Sequence, residues 1–418
     1  MSLVRKNIFI LFFIQGINYI FPLLTIPYLS RIFGPEGIGA LSLAQAIILY
    51  LVMVIDFGFN LTVTRRISIA YSEKNQQKID ELYTHTIFIK FIIFLISLFI
   101  VGILCQIVPK MLEIKSLIYI GFISLLGVVV NPIWLFQGLQ RMTVLLIPTT
   151  ISKIITLILI YIFINDKSDL NYAMFFNSLS LFLSGIISIF YVKKLKLAYF
   201  AKIKYIKSIE LLNESFYVFL SYLGSSIYTT MNTFIMSFFV NFKQIGIYSA
   251  ADKVTQTAQS LMGPIHQAIF PYLSSFNSKE EYLRKFKKFG YLLVSMGVFI
   301  SAAIFIFSNK IILILFGYQF IESFKVLQIL ALLPTIISLG ILFGQWGLIV
   351  IGEAKVLGKI YIYAGIFHLL HIFILLKYFG IYGGAISIVI TESIVSVMLG
   401  VVFFKKLDKL SIDSQENR

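Results

Sequence analysis

The sequence predicts an all-α polytopic membrane protein with twelve transmembrane helices. Its composition, its apolar runs and the placement of its basic residues each support that fold class. The chain has 418 residues, of which 59% are hydrophobic and 13% are charged, and its mean hydropathy is +0.92. Soluble domains are about 45–50% apolar and about 25% charged. The composition therefore excludes a soluble globular protein and a disordered one.

The apolar runs give the number of helices. A helix needs about 20 apolar residues to cross the hydrocarbon core of a bilayer. Twelve runs are long enough, at residues 8–33, 39–63, 85–108, 117–139, 144–164, 170–192, 213–241, 246–275, 289–308, 323–350, 358–377 and 381–404. The separate segment Ile311–Phe316 is too short to cross, and we expect it at the outer interface.

The distribution of Lys and Arg predicts the orientation of these helices. The net charge of +16 comes from 35 basic and 19 acidic residues. Nucleic-acid-binding proteins show such charge as patches on a polar surface, whereas here it lies mostly in short segments between apolar runs. Cytoplasmic loops of membrane proteins carry an excess of Lys and Arg. Most of the basic residues fall on the cytoplasmic side when both termini are placed there.

An internal repeat divides the chain into two halves. IGALSLAQAI (38–47) is echoed by IGIYSAADKV (245–254), a shift of 207 residues (245 − 38). Because six is an even number, two six-helix halves have the same orientation and a pseudo-symmetry axis along the membrane normal. We therefore predict an N-terminal bundle at 1–192, a basic cytoplasmic linker at 193–212, a C-terminal bundle at 213–404 and a cytoplasmic tail at 405–418.

The linker sequence KKLKLAYFAKIKYIK (193–207) fits two structures. Tyr199, Ile203 and Ile206 share one helical face and lysines lie away from it, which is typical of a helix lying on an anionic leaflet. A solvated basic linker fits the same residues.

One face of the predicted helix 246–275 is polar at helical spacing. Its members are Asp252, Gln256, Gln259, Gly263 and His266. A single Gln in a bundle is usually a satisfied interhelical hydrogen bond, but a row of five positions favours a water-lined cavity. Lys253 lies about 100° round the helix from Asp252. We therefore expect only one of these two charges to face the cavity centre and the other to pack between helices.

Charged residues also lie within the predicted spans of the first half. Lys153 is in mid-span, too deep to reach the interface easily. It shares a face with Thr149 and Thr156, so we expect it to face a polar cavity. Lys90 is nearer the inner end of its span and could reach the interface instead. For Asp56, also near an inner end, a solvated helix terminus is the alternative.

The first helix contributes two further candidates, Asn18 and Arg31. Arg31 ends the span and is either an interface anchor or, if Pro22 and Pro27 bend the helix, a neighbour of the Asn18 face.

The last spans add an acid and a histidine pair. Glu392 lies midway along its span beside Thr391, where a lone carboxylate must be protonated or paired, and this fits binding of a coupling ion or proton. His368 and His371 share one face, but no further metal ligands accompany them. We therefore expect a hydrogen-bonded core pair rather than a metal site.

Motifs for other chemistry are missing from the sequence. No GxxxxGK[ST] motif is present, so direct use of ATP is unsupported. No outer loop carries paired carboxylates or a His/Asp cluster, as a membrane enzyme acting there would need. We expect neither a cofactor nor a metal. The single Cys105 cannot form an intrachain disulfide.

Four segments resemble the polysaccharide-transport branch of the multidrug/oligosaccharidyl-lipid/polysaccharide exporter superfamily, and within it the Wzx-type O-antigen flippases. The segments follow one another in order, and the likeness in order and spacing covers nearly the whole chain. They are PYLSRIFGPEGIG (27–39), DFGFNLTVTRR (56–66), WLFQGLQRM (134–142) and the run from TMNTF to PYLS (230–274).

The resemblance implies a fold, an activity and a location. The implied fold is two six-helix bundles around a central cavity. The implied activity is movement of an undecaprenyl-diphosphate-linked oligosaccharide, the O-antigen repeat unit, from the cytoplasmic to the periplasmic leaflet of a bacterial inner membrane, driven by an ion or proton gradient. Membrane lipids, a polysaccharide polymerase and a chain-length regulator are the further partners it implies, and nucleic acid is not one.

On this interpretation the candidate residues have three roles. Basic side chains neutralise the diphosphate, polar side chains bond to sugar hydroxyls, and acidic side chains bind the coupling ion. The basic group is Arg31, Lys90, Lys153 and Lys253; the polar group is Asn18, Asn232, Gln256, Gln259 and His266; the acidic group is Asp56, Asp252 and Glu392. A multidrug or cation exporter of the same superfamily and a polytopic lipid-sugar enzyme are the rival hypotheses.

Overall fold

The computed structural model describes residues 2–274 and 278–416, except for the side chains of residues 2–15, 17–20, 23, 142–143, 268 and 408–416. The chain forms two compact units, Met1–Leu223 and Gly224–Arg418. The described residues of both units form helices and turns, with no strand among them. The predicted all-α class is therefore confirmed.

The helices of the first unit are numbered in chain order. They are α1 (Ser2–Asp56), α2 (Phe59–Ser72), α3 (Gln76–Ile107), α4 (Pro109–Glu113), α5 (Lys115–Val130), α6 (Ile133–Gly138), α7 (Met142–Phe163), α8 (Leu170–Lys194) and α9 (Tyr205–Tyr228), whose last residues belong to the second unit.

The second unit continues the numbering. It contains α10 (Met231–Met236), α11 (Phe242–Ser260), α12 (Met262–Leu273), α13 (Lys279–Phe316), α14 (Ser323–Leu330), α15 (Leu333–Gly340), a π-helix (Ile341–Ile349) and α16 (Ala354–Glu416). Short 3₁₀ turns lie at Lys167–Asp169 and Tyr318–Phe320.

Within the described residues, eight helices are long and apolar enough to cross a membrane. Two of them, in α1 and α16, are each broken at a glycine with a positive φ: Gly34 (φ 62°) and Gly380 (φ 53°). Gly34 precedes Pro35, and the helical region is disfavoured for a residue before proline. These breaks agree with the predicted boundaries between 8–33 and 39–63 and between 358–377 and 381–404.

The predicted span 39–63 is interrupted, because α1 ends at Asp56. Phe57 (φ 45°) and Gly58 (φ 78°) both have left-handed backbone conformations, and α2 starts at Phe59. A Cβ atom on Gly58 would also lie 2.9 Å from the side chain of Val218 on α9. The turn therefore needs glycine both for its conformation and for the close approach of α9.

Two other boundaries differ from the prediction. The predicted span 246–275 is divided at Leu261, because Pro264 has no N–H to donate to the carbonyl of Ser260 and its ring crowds that carbonyl. Segment 311–316 is not a separate interfacial piece. It is the last part of α13, which runs without a break to Phe316.

Each unit has its own apolar core, and each core contains one of the two tryptophans of the chain. Trp134 and Phe59 are fully buried in the first unit. Trp346 and Phe403 are fully buried in the second, where the Tyr282 hydroxyl donates to the backbone carbonyl of Trp346 at 2.7 Å.

The connection between α8 and α9 is neither a surface helix nor a loose linker. Residues 197–204, here called the strap, are extended and follow the start of α3. The backbone N–H of Tyr199 donates to Asp80 at 2.9 Å, and that of Ala201 donates to the Thr84 hydroxyl at 2.7 Å. The helical alternative for this segment is therefore wrong up to Lys204.

Glu81 of α3 fixes the end of the strap. Its carboxylate pairs with Lys204 at 3.2 Å and with Lys207, in the first turn of α9. Glu81 is only 14% exposed. The hydrogen bond from Lys207, followed by that from Lys204, holds the pKa of Glu81 below its usual value against the effect of burial.

Glu81→Gln is expected to loosen the strap, because a neutral amide cannot form either ion pair. Losing charge-assisted hydrogen bonds of about 1.5 kcal/mol should speed amide hydrogen exchange at Tyr199 and Ala201 roughly tenfold. Hydrogen–deuterium exchange read by mass spectrometry measures this. Glu73→Gln is the matched control, since it removes an exposed pair with Lys78.

The same contacts predict a response to acid. Because the folded-state pKa of Glu81 is lowered, its stabilising contribution is present above the ordinary value of about 4.5 and is lost as pH falls through the lowered value. Acid should therefore loosen the strap more in the wild type than in Glu81→Gln. Unchanged exchange in the variant at neutral pH would show that the bonds to Asp80 and Thr84 hold the strap without Glu81.

Candidate functional site

In the first unit, the end of α1 places a carboxylate beside a buried lysine. Nζ of Lys90, on α3, lies 2.5 Å from Oδ1 of Asp56 and donates at 3.4 Å to the carbonyl of Val128. Asn60, in the first turn of α2, donates from Nδ2 to Oδ2 of Asp56 at 2.7 Å. Lys90 is 1% exposed and Asp56 is 25% exposed. A buried cation is thus paired with an acid that remains partly accessible.

This arrangement has a local electrostatic cause. Asp56 is the last residue of α1, where the negative end of the helix dipole disfavours a carboxylate. Lys90 and Asn60 supply the positive charge and the N–H that offset this. Lys90 therefore points into the unit and does not reach for the interface, the alternative that its position near the end of a span had left open.

Lys153 lies in the middle of α7, as its sequence position predicts, and is half-buried. Its ammonium is 5.6 Å from the centre of the Phe21 ring, within cation–π range. The hydroxyls of Thr149 and Thr156 donate to carbonyls of their own helix. Both hydroxyls are therefore engaged by their own helix, and an aromatic ring that the sequence did not indicate lies near the ammonium. The polar cavity expected around Lys153 stays a prediction.

The other two candidates of the first unit are Arg31 and Asn18. Arg31 is exposed, three residues before the break at Gly34, where the end of a helical segment favours a cation. Asn18 is among the residues whose side chains lie outside the description.

In the second unit, α11 carries part of the predicted polar row. Gln256 donates from Nε2 to Oδ2 of Asp252 at 2.8 Å, one turn away. Lys253 and Gln259 are half-buried on the same helix. His266 falls beyond the break at Leu261 and therefore lies on α12.

His266 and Asn232 each bond to an aromatic side chain. The indole N–H of Trp346 donates to Nδ1 of His266 at 3.0 Å. An indole N–H can only donate, so the proton of a neutral His266 lies on Nε2. Asn232 is buried and donates from Nδ2 to the Tyr248 hydroxyl at 2.9 Å. Both contacts reduce the hydrogen-bonding capacity that these residues could offer to a sugar.

Glu392 lies next to a buried histidine network on α16. The Thr391 hydroxyl donates to the carbonyl of Ser387 at 2.8 Å and lies 2.9 Å from Nδ1 of His368. Nδ1 of His368 is therefore the donor to Thr391. Its Nε2 is then a bare acceptor, buried and without a partner in the described part of the chain. Glu392 is also close enough to Tyr228 to interact with it electrostatically.

The two histidines bond to groups of their own helix, α16. The rings of His368 and His371 lie 5.3 Å apart, and His371 bonds to the carbonyls of Phe367 and Ser387. No cluster of three or more His, Cys, Asp or Glu able to hold a metal occurs among the residues that the structure describes.

The structure thus brings together two pairs of predicted residues, Asp56 with Lys90 and Asp252 with Gln256. The remaining candidates bond to residues that sequence reasoning did not select, such as Trp346 and Tyr248. Chemically, each unit holds acidic groups within or beside membrane segments, and the first also holds a cation in mid-span.

Comparison with known proteins places this fold in a family. The model of the polysaccharide biosynthesis protein family matches residues 4–277. A Shigella dysenteriae protein named "Putative O-antigen transporter" is 35% identical over 398 residues, which are 94% of this chain and 98% of that protein. The chain belongs to the polysaccharide biosynthesis protein family. The family assignment made from the sequence motifs is confirmed.

Solved structures show the same fold at low sequence identity. The lipid II flippase MurJ, in an inward closed conformation, matches this family member with a TM-score of 0.76 at 15% identity, over 98% of this chain and 91% of that one. An inward-facing multidrug resistance MATE family transporter of the MOP superfamily matches with a TM-score of 0.73 at 14% identity, over 95% of both chains. Together with its long apolar helices, these likenesses make the chain a multi-pass membrane protein.

Replacing Asp56 and replacing Lys90 should lower the free energy of unfolding by different amounts. Asp56→Asn leaves a buried ammonium without a counter-charge, and breaking such a pair costs about 3–5 kcal/mol. Lys90→Met should cost less, because Asp56 is partly exposed and keeps Asn60. Combining both changes should recover much of the loss. Thermal unfolding midpoints of the four proteins in detergent measure this double-mutant cycle.

Two results of the double-mutant cycle would contradict this prediction. Additive effects of the two substitutions, or equal destabilisation by each alone, would show that the two charges do not depend on one another.

Proposed function

We propose that the protein is a flippase that moves an undecaprenyl-diphosphate-linked oligosaccharide from the cytoplasmic to the periplasmic leaflet of a bacterial inner membrane. Family membership and the name of the Shigella dysenteriae relative support this substrate class. Both termini would lie in the cytoplasm, as the distribution of Lys and Arg predicts. The flipped unit would then pass to a polymerase and a chain-length regulator.

The observation that carries the proposal is the position of Lys153. A charge at the centre of a membrane helix costs about 2.5–3.5 kcal/mol on insertion scales, so such residues are retained for a function. Lys153 lies mid-way along α7 with a half-buried side chain. A diphosphate is the anionic part of the proposed substrate, and a lysine is a natural partner for it.

The ion pair with Asp56 makes Lys90 a weaker candidate for binding the diphosphate. Lys90 already has a carboxylate partner at 2.5 Å, so a diphosphate would have to compete with Asp56 for it. Lys153, in mid-span, and the exposed Arg31 are the other proposed basic contacts for the diphosphate. Gln259 and the Asp252–Gln256 pair remain proposed contacts for sugar hydroxyls.

We further propose alternating access coupled to an ion or proton at Glu392. The carboxyl is half-buried in α16 and adjoins Thr391, which bonds to His368. A carboxyl largely removed from water in the hydrocarbon region is protonated more easily than in water, or can bind a small cation. Asp252 is the second acidic candidate.

The first experiment deletes the gene and asks in which leaflet the lipid-linked oligosaccharide accumulates. We expect trapping in the cytoplasmic leaflet, rescue by the wild-type gene, and at least about tenfold weaker rescue by Lys153→Ala, the loss expected for one charge-assisted contact. Surface polysaccharide and leaflet-selective labelling are the measurements. Lys153→Arg should retain partial function, and Lys115→Ala, at an exposed residue that begins α5, is the matched control.

Two other results would redirect the proposal. Normal surface polysaccharide after deletion, with altered drug sensitivity, would favour a multidrug exporter. Full rescue by Lys153→Ala, with normal protein levels, would remove Lys153 from the substrate site while leaving the flippase function in place.

Glu392→Gln tests the coupling separately. In proteoliposomes we expect the variant to lose the acceleration of lipid translocation that an imposed ion or proton gradient gives to the wild type, while basal exchange persists. Glu322→Gln, at an exposed acid before α14, is the control. An unchanged gradient response in Glu392→Gln would place the coupling group elsewhere.

A further inference from the structure

The outward side of the strap differs from the side that faces α3. Its backbone is fixed to Asp80 and Thr84, and the carbonyl of Leu197 accepts from Gln76 at 3.2 Å. Leu197 is buried in the core of the first unit. The side of the strap that faces α3 is therefore held by hydrogen bonds to that helix. These bonds fix its conformation without a bound partner.

The outward side is strongly apolar and aromatic. The exposed fractions of Phe200, Tyr205 and Ile206 are 70%, 72% and 74%. Tyr199 and Ile203 are exposed beside them. Aromatic residues with one apolar and one polar end are enriched at the interface between a membrane and water. Such side chains on a fixed backbone form a preorganised surface.

Lysines lie close to these side chains in the sequence. Lys204 and Lys207 are engaged by Glu81. Lys196 and Lys202 are exposed and make no ion pair within the described part of the chain. The surface therefore carries a net positive charge next to its aromatic residues, which is complementary to lipid phosphates.

The position of the strap along the membrane normal agrees with a lipid contact. The strap joins the ends of two membrane-associated helices, α8 and α9, and packs on the start of α3. The apolar part of α3 begins at residue 85, so its partners Asp80 and Gln76 lie five and nine residues before it (85 − 80 = 5; 85 − 76 = 9). Further along the strap, Ala201 bonds to Thr84, which directly precedes that apolar part. At about 1.5 Å of rise per helical residue, the strap therefore runs from the outer edge of the headgroups to their boundary with the acyl chains.

We propose that Lys196, the strap that follows it and the first turn of α9 bind anionic phospholipid of the leaflet on that side of the membrane. The rings of Phe200 and Tyr205 enter the boundary between headgroups and acyl chains, and Lys196 and Lys202 bind the phosphates. Neither lysine takes part in the proposed transport site, so this binding is independent of the transported substrate.

The test uses the full-length protein in nanodiscs, with Phe200→Trp as a reporter. The discs contain phosphatidylcholine with a shallow-brominated lipid, either phosphatidylglycerol or phosphatidylcholine, at equal mole fraction. We expect stronger quenching of the added tryptophan by brominated phosphatidylglycerol. The signal of the protein without the reporter, from buried Trp134 and Trp346, is subtracted.

Charge removal tests the role of the lysines. One basic residue near an anionic surface contributes about fivefold in affinity, so Lys196→Ala and Lys202→Ala should each reduce the preference for phosphatidylglycerol by about that factor. Lys287→Ala, at an exposed residue of α13, removes the same charge elsewhere and should leave the preference intact. Size-exclusion profiles and helical circular dichroism verify that each variant is folded.

Two outcomes would overturn the proposal. Quenching by neither lipid would show that the surface lies away from the bilayer and is available to a soluble partner. Equal quenching by both lipids, unaffected by removing the lysines, would show that the rings enter the membrane without recognition of an anionic headgroup.

Discussion

The hydrocarbon core of a membrane offers no water to backbone N–H and C=O groups, and this constraint determines the architecture of the chain. Each crossing segment must satisfy its own backbone, which a helix does. Three departures from helical geometry have a specific cause in the sequence. Gly34 precedes a proline, Gly58 admits a left-handed turn, and Pro264 removes a donor. The same lack of water explains why Lys90 is found with Asp56 and not alone.

The fold class followed from composition and from the length of apolar runs, because both respond to the membrane directly. Breaks at Gly34 and Gly380 fell near predicted boundaries, since glycine and proline are visible in the sequence. The end of α1 at Asp56 was missed because Phe57 adopts a left-handed conformation for which its own preference gives no signal. The strap was missed for a different reason. Its helical periodicity is real, but bonds to Asp80, Thr84 and Glu81 stabilise an extended chain instead.

The candidate residues were identifiable as types, but their partners were not. A polar or charged residue within an apolar run is conspicuous in any sequence, as Lys153 and Glu392 were. Its partner can be distant in the chain: 34 residues separate Asp56 from Lys90, and 80 separate His266 from Trp346. Local spacing relates residues only on one helix, as for Asp252 and Gln256. Pairings between helices depend on packing, which no single helical face encodes.

The buried tryptophans have a practical consequence for following the two units separately. The chain has two tryptophans, and each lies in the core of a different unit: Trp134 in the first and Trp346 in the second. A protein with either one replaced by phenylalanine retains a single tryptophan, which belongs to one unit and can be excited at wavelengths where tyrosine does not absorb. Its emission then distinguishes local melting of one half from cooperative unfolding of the whole chain without any attached dye.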